Sequence, residues 1–305
     1  LMHVPCPCHV ARHQLVVLPT REDAAMRLDD RIKVAPIAGA VGAELSGVDL
    51  SLALADAAVA VIREAWLAHG VVFFRNQDLP PERLLGLARR FGTVLEYPFL
   101  RGLDEYPEVV PVVKLQHERS NFGGVWHSDT AYLPQPPMGT MLVAREVPPF
   151  GGDTLFASQT CAYDALSDGM RRMLEGLRAV NSSAKAEVSK TREDRVRDSA
   201  RNDAKRSYEA EHPVVRTHPE TGRKALYVNI AHTQRFVGMT DEESAPLLGY
   251  LFRHQVRPEF TCRFRWAPGS VAFWDNRCTL HNPVNDYHGH RRVMHRVTLA
   301  GDTPR

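Results

Sequence analysis

FTCRFRWAPGSVAFWDN occupies residues 260–276, and its reading decides the fold. Two runs, FTCRFRW and SVAFWDN, are rich in aromatic residues, and the turn residues APGS divide them. Both runs are too short for ordinary helices and are bounded by turn signals, so both read as strands. The pattern repeats on either side. HPVVRTHP (212–219), KALYVNI (224–230) and RVMHRVTLAG (292–301) are further β-rich runs, with turns such as PETGR between them.

The first half mixes strands with helices. RIKVAPIAGAVGAELSGVDL (31–50) alternates apolar and polar residues between glycines and predicts two short strands. Its glycines do not follow a valine-rich strand into GxGxxG, which disfavours a dinucleotide fold. DAAVAVIREAWLAHG (56–70) carries helical spacing and stops at Gly70. VVFFRNQ (71–77) suits a buried strand, and PPERLLGLARRFG (80–92) predicts a helix from its prolines to Gly92. GTMLVAREVP (139–148) and GGDTLFAS (151–158) read as strands, and TCAYDALSDGMRRMLEGLRAV (160–180) as one or two helices. Many short antiparallel-type strands with helices mainly in the first half predict an α+β, mainly β, fold: a jelly-roll barrel, or double-stranded β-helix, with flanking helices.

The chain has 305 residues, a length that suits one large β-rich enzyme domain with insertions. That domain is expected over 31–305, after a loosely ordered tail at 1–30. Residues 185–212 mix both charge signs and hold few large apolar side chains; a solvated helix or mobile loop is the plain reading, a lid over a site the sharper one. A net charge of +2 makes the chain no polyelectrolyte partner for nucleic acid or a membrane surface. Five cysteines, an odd and small number, argue for a reducing compartment and a cytoplasmic location. No apolar run reaches transmembrane length, and PCPCH (5–9) has poor geometry for a metal site. A homo-oligomer, dimer or tetramer, is expected.

The chemistry starts at WHSDTAY (126–132). If this stretch is extended, His127 and Asp129 share a face and can grip adjacent corners of a metal ion. Alone, such a pair is more often polar surface or a simple His–Asp hydrogen bond. FWDNRCTLHNPVNDY (273–287) adds His281. Two histidines and one carboxylate form the facial triad of non-haem Fe(II) oxygenases. In RRVMHRVTLAG, Arg292, Met294 and Arg296 fall on one strand face. Buried arginines require anions. For Arg296 the alternative is pairing with a structural acid or an excursion to solvent.

The order of HxD at 127–129, GGDT at 151–154, WDNR…H at 274–281 and then Arg292 resembles the taurine dioxygenase / 2,4-dichlorophenoxyacetate dioxygenase family. The resemblance runs from about Ile32 to Pro304. It implies an Fe(II)- and 2-oxoglutarate-dependent dioxygenase that uses O2 and releases succinate and CO2. Carried over by position, His127, Asp129 and His281 would ligate iron. Arg292 and Thr154 would hold the distal carboxylate of 2-oxoglutarate, and Trp274 would pack beside the metal. Thr154 as a plain turn residue and Trp274 as core filling are the alternatives. Arg296 matches the position that holds the acidic group of the prime substrate in sulfonate-using members.

The pattern departs from the taurine-specific one in two places. Tyr97 stands where the taurine enzyme has a histidine, and NFGGVWHSD (121–129) carries two glycines in place of a polar stretch. The expected prime substrate is therefore a small organic anion other than taurine: a sulfonate, a sulfate ester or a carboxylate, held by Arg296 with Tyr97. A zinc hydrolase could use the same three metal-binding side chains but would not need Arg292 with Thr154. A non-catalytic jelly-roll binding protein would need neither set complete.

Overall fold

The structure, a computed structural model, describes residues 32–97, 100–121, 123–185 and 207–305. The tail expected at 1–30 and most of the charged segment 185–212 lie outside them. Strands β1 (Lys33–Pro36) and β2 (Ala43–Ser46) form a hairpin, followed by helix α1 (Asp56–His69), β3 (Val71–Phe74) and α2 (Pro81–Arg89). Next come β4 (Val94–Leu95), β5 (Val110–Lys114), β6 (Gly139–Glu146), β7 (Thr154–Ser158), α3 (Gln159–Asp164), α4 (Asp168–Leu174) and β8 (Arg178–Ser182). After the undescribed segment follow β9 (Glu209–Pro213), β10 (Val215–Thr217), β11 (Lys224–Leu226), β12 (Thr233–Phe236) and α5 (Asp241–His254). The chain closes with β13 (Thr261–Phe264), β14 (Val271–Asp275), β15 (Thr279–Pro283) and β16 (Arg292–Leu299). The architecture is mainly β with few helices.

The largest sheet has the order β1-β2-β3-β14-β6-β16-β4, with β5 also paired to β16. A three-stranded sheet, β13-β7-β15, is the second layer. Both faces of β14 are covered, which explains its unbroken apolar run. Val271 and Phe273 pack with α1 and α2, where Trp66 stacks on Phe273 at a centroid distance of 4.3 Å. Ala272 and Trp274 point the other way, into a core shared with Phe156 and Phe264 of the second sheet. Fully burying side chains of this size contributes about 1.5–3 kcal/mol each. A third core lies under α3 and α5 and includes Leu174, Leu226, Phe236 and Leu251.

Gly70 joins the helical layer to the sheet. Its φ of 71° ends α1 in the left-handed region. A Cβ there would also lie 2.7 Å from Thr279 Oγ1.

Several expectations change in detail, among them the end of the 160–180 stretch, where Arg178–Ser182 is strand, not helix. Helix α2 ends at Arg89, not at Gly92, because Arg90 takes the cap position. Only Lys224–Leu226 of KALYVNI is strand, and the HPVVRTHP region divides into β9, ending at Pro213, and β10. WHSDTAY is not an extended strand. His127 makes one isolated bridge to His281, and the chain then turns, with Thr130 at φ 42°. That left-handed conformation costs an L-residue about 1–2 kcal/mol.

Candidate active site

The bridge between His127 and His281 builds the site. The backbone N–H of each donates to the carbonyl of the other, at 3.0 and 2.8 Å. This fastens the 127–129 loop beside β15 and brings the two imidazole centroids to 4.1 Å. Asp129 completes the group: its Oδ1 lies 3.8 Å from His127 Nε2 and 3.9 Å from His281 Nε2. The turn after His127 therefore achieves the convergence that strand alternation was expected to supply.

The donor set suits a divalent transition metal. Val125 O accepts from His127 Nδ1 at 2.7 Å, which fixes the tautomer and leaves the Nε2 lone pair facing Asp129. Burial pushes both His127 and His281 below the usual imidazole range, so both rings are neutral near pH 7. Burial alone would raise the Asp129 carboxyl, but the Arg296 guanidinium, with a hydrogen bond from Thr140, holds it well below the usual carboxylate range. Two neutral imidazoles and an ionised carboxylate thus face one point.

A cavity opens from this point, lined by His127, Thr154, Trp274, His281, Arg292 and Arg296, with Val112, Leu142 and Pro283. Strand β16 supplies both arginines on its inward face, alternating with outward Val293 and His295. Arg292 is 5% exposed, and its Nε and Nη2 have no hydrogen-bond partner among the described residues. An unpaired buried guanidinium costs several kcal/mol, so the cavity calls for an anion. Thr154 Oγ1 accepts from Trp266 Nε1 at 2.9 Å, which leaves the hydroxyl proton free to donate. Trp274 lies against His281, with ring centroids 4.6 Å apart.

Arg296 differs from Arg292. Its Nη2 sits 3.0 Å from Asp129 Oδ1, and the guanidinium packs over the Tyr97 ring at 4.8 Å. Tyr97 is buried behind Arg296 and does not line the cavity; it hydrogen-bonds Tyr132.

Two further neighbours fall outside the sequence motifs. Lys114 is the cross-strand partner of Arg292, so the two side chains leave the sheet on the same side. Its Nζ donates to Asn285 Oδ1 at 2.7 Å and lies 4.0 Å from the Tyr287 ring centre. Burial, with Arg292 contributing, lowers the lysine pKa. His232 meets Tyr132 edge-on at 4.9 Å, and its ring is 6.1 Å from that of His127. Burial pushes it down to about 3, so it is neutral.

Comparison with known proteins agrees with this geometry. The family described as "Taurine catabolism dioxygenase TauD, TfdA family" matches residues 33–298. An alpha-ketoglutarate-dependent sulfate ester dioxygenase of Pseudomonas putida is 36% identical over 288 residues, covering 92% of each chain. An alkylsulfatase of Acinetobacter baylyi is 34% identical over 282 residues, covering 89% of this chain and 86% of the relative. The crystal structure of a taurine dioxygenase from Burkholderia xenovorans superposes with a TM-score of 0.76 at 38% identity, covering 90% of this chain and 91% of that one.

Proposed function

The chain belongs to the TauD/TfdA family and is an Fe(II)- and 2-oxoglutarate-dependent dioxygenase, and from that premise we propose that it hydroxylates a C–H bond of a small organic anion, with sulfate esters the leading class. The observation that carries this reading is Arg292, a buried guanidinium with unpartnered nitrogens lining the same cavity as His127 and His281, whose Nε2 atoms converge on Asp129. Two binding demands meet there: a metal for the trio and a carboxylate for the arginine.

In this reading His127, Asp129 and His281 hold the Fe(II). When bound, the iron supplies the oxygen chemistry that amino-acid side chains lack. Arg292 grips the distal carboxylate of 2-oxoglutarate as a two-pronged donor, and the free Thr154 proton donates to the same group. Trp274 packs on His281, keeping the ring in place and water away. Arg296 receives the acidic group of the prime substrate, and the Tyr97 ring behind it limits where the guanidinium can go. The apolar lining by Val112, Leu142 and Pro283 supports a substrate with a hydrocarbon portion. By position Tyr97 and the Gly123–Gly124 pair depart from the taurine-type pattern, though none of them lines the cavity, and the two sulfate-ester relatives favour an alkyl sulfate.

We read the two facing sheets as a double-stranded β-helix, within one domain spanning 31–305. Cys161, Cys262 and Cys278 are free thiols, which supports work in the reducing cytoplasm. Among the described residues no helix is long and apolar enough to cross a membrane.

The test is succinate release with Fe(II), ascorbate and 2-oxoglutarate across alkyl sulfates, alkylsulfonates including taurine, aryloxyalkanoates and amino acids. An anionic substrate should stimulate turnover. Asp129→Ala should abolish it, and Arg296→Ala should remove the stimulation. A best substrate that is uncharged, or one indifferent to Arg296→Ala, would sink the anion-anchor reading. A wide preference for taurine would sink the reading of Tyr97.

A further inference from the structure

WDNR, residues 274–277, holds three side chains with no role in the proposed chemistry, Asp275, Asn276 and Arg277. Asn276 is 1% exposed and lies at the turn between β14 and β15. Its Oδ1 accepts from the backbone N–H of Asp129 at 3.2 Å and from Trp274 Nε1 at 3.0 Å. Its Nδ2 donates to Asp129 Oδ2 at 3.1 Å and to Thr140 Oγ1 at 3.2 Å. Thr140 Oγ1 in turn donates to Asp129 Oδ2 at 2.7 Å. The amide orientation follows from these partners. Two are N–H donors and need the oxygen, while the carboxylate can only accept and needs the NH2.

The two oxygens of Asp129 therefore differ. Oδ2 takes two hydrogen bonds from Asn276 and Thr140 and is fully engaged. Oδ1 faces His127, His281 and Arg296. We infer that Asn276, acting with Thr140, is a positioning residue that makes Asp129 a one-oxygen metal ligand by holding Oδ2 away and aiming Oδ1 at the two histidines. The inference rests on the proposed role of Asp129 as a metal ligand. A carboxylate free to rotate could offer both oxygens and occupy a coordination position that the cosubstrate or oxygen needs.

The neighbouring residues hold Asn276 still. Asp275 Oδ1 accepts from Arg277 N at 2.9 Å and Arg277 Nε at 2.8 Å; its Oδ2 accepts from Arg277 Nη2 at 2.7 Å and His218 Nε2 at 3.0 Å. His218 Nδ1 accepts two backbone N–H groups, from Glu220 and Thr221, so the proton sits on Nε2. Arg277 Nη1 reaches Glu220, which Arg63 of α1 also binds. His218, Asp275 and Cys278 gather metal-type donor atoms, but both carboxylate oxygens are taken by Arg277 and His218. This group is an anchor for the turn, not a second metal site.

The experiment is Mn(II) titration of the apoprotein, read from the free-ion EPR signal, with thermal melting of the metal-free protein alongside. Thr140→Val keeps shape and removes the hydroxyl; Thr140→Ser keeps the hydroxyl. Asn276→Ala and Thr140→Val should each weaken Mn(II) binding at least tenfold, and Thr140→Ser should bind like wild type. A packing role alone would lower the melting temperature of all three and leave the affinity of the folded protein unchanged; that result overturns the inference. If Asn276→Ala does not fold, the Val and Ser pair at Thr140 decides. Asp129→Ala is the control. If it binds Mn(II) like wild type, the metal-site reading has failed; if it alone loses binding, only the inference has.

Discussion

Gly123 rests against the imidazole of His127: a Cβ added to it would lie 2.7 Å from Cε1 and 3.1 Å from Nε2. Its φ of 68° is also in the left-handed region. Gly123, the first of the GG pair before the HxD motif, therefore gives the histidine ring room. Gly123→Ala should strain the backbone by about 1–2 kcal/mol and displace His127. We expect weaker Mn(II) binding, by tenfold or more, with far-UV circular dichroism unchanged. Wild-type affinity in this variant would show that the loop absorbs the methyl without moving the ring.

Arg292→Lys should raise the apparent 2-oxoglutarate requirement at least tenfold, equivalent to about 1.4 kcal/mol of binding. Lysine keeps the charge but cannot reproduce the two-pronged donor geometry. Initial rates of succinate release against cosubstrate concentration measure this. An unchanged requirement would shift the carboxylate-binding role to another cation.

Lys114 should contribute to the same affinity without touching the chemistry. It leaves the sheet beside Arg292 and adds positive potential at that end of the cavity. Lys114→Met should raise the 2-oxoglutarate KM about two- to fivefold, or about 0.4–1 kcal/mol, with kcat near wild type. A fall in kcat at constant KM would contradict the electrostatic role.

Acid should unfold the protein through its buried and half-buried histidines. Burial pushes His212 and His295 down to about 4 and His232 to about 3. In the unfolded chain these groups titrate near 6.5, so the unfolded state binds more protons across the interval from about 6.5 to 4. Their contribution to stability is complete above that interval and is lost as pH falls through it. Urea midpoints of the metal-free protein should therefore decline from pH 6.5 to 4.5. A flat profile would mean that the rings are hydrated in the folded state.

Much of the site was legible in the residues because its groups are local and chemically unusual. HxD, His281 and the alternating arginines of β16 announce themselves by type and spacing, and the strand period alone places Arg292 and Arg296 on one face. Asn276 was visible within WDNR but had no readable role, since asparagine is common in turns and its partner, Asp129, lies 147 positions away. Lys114 was unreadable for a related reason. A lysine ending a short strand is ordinary until pairing register sets it opposite Arg292.

The sequence by itself determined the periodicities, hence a mainly β chain with flanking helices, and the inventory of groups able to bind a metal and a dicarboxylate. Periodicity is a property of neighbouring residues, so it survives without tertiary information. Only the tertiary structure decided how those groups meet. WHSDTAY turns at Thr130 and is pinned to β15 by the His127–His281 bridge, a contact between residues far apart in the chain. The same closure aims one oxygen of Asp129 and leaves Arg292 unpaired in the cavity. Such outcomes depend on which strands pair and in which register, and the free energy that fixes them comes from burial of the two sheets against each other, not from any single stretch of chain.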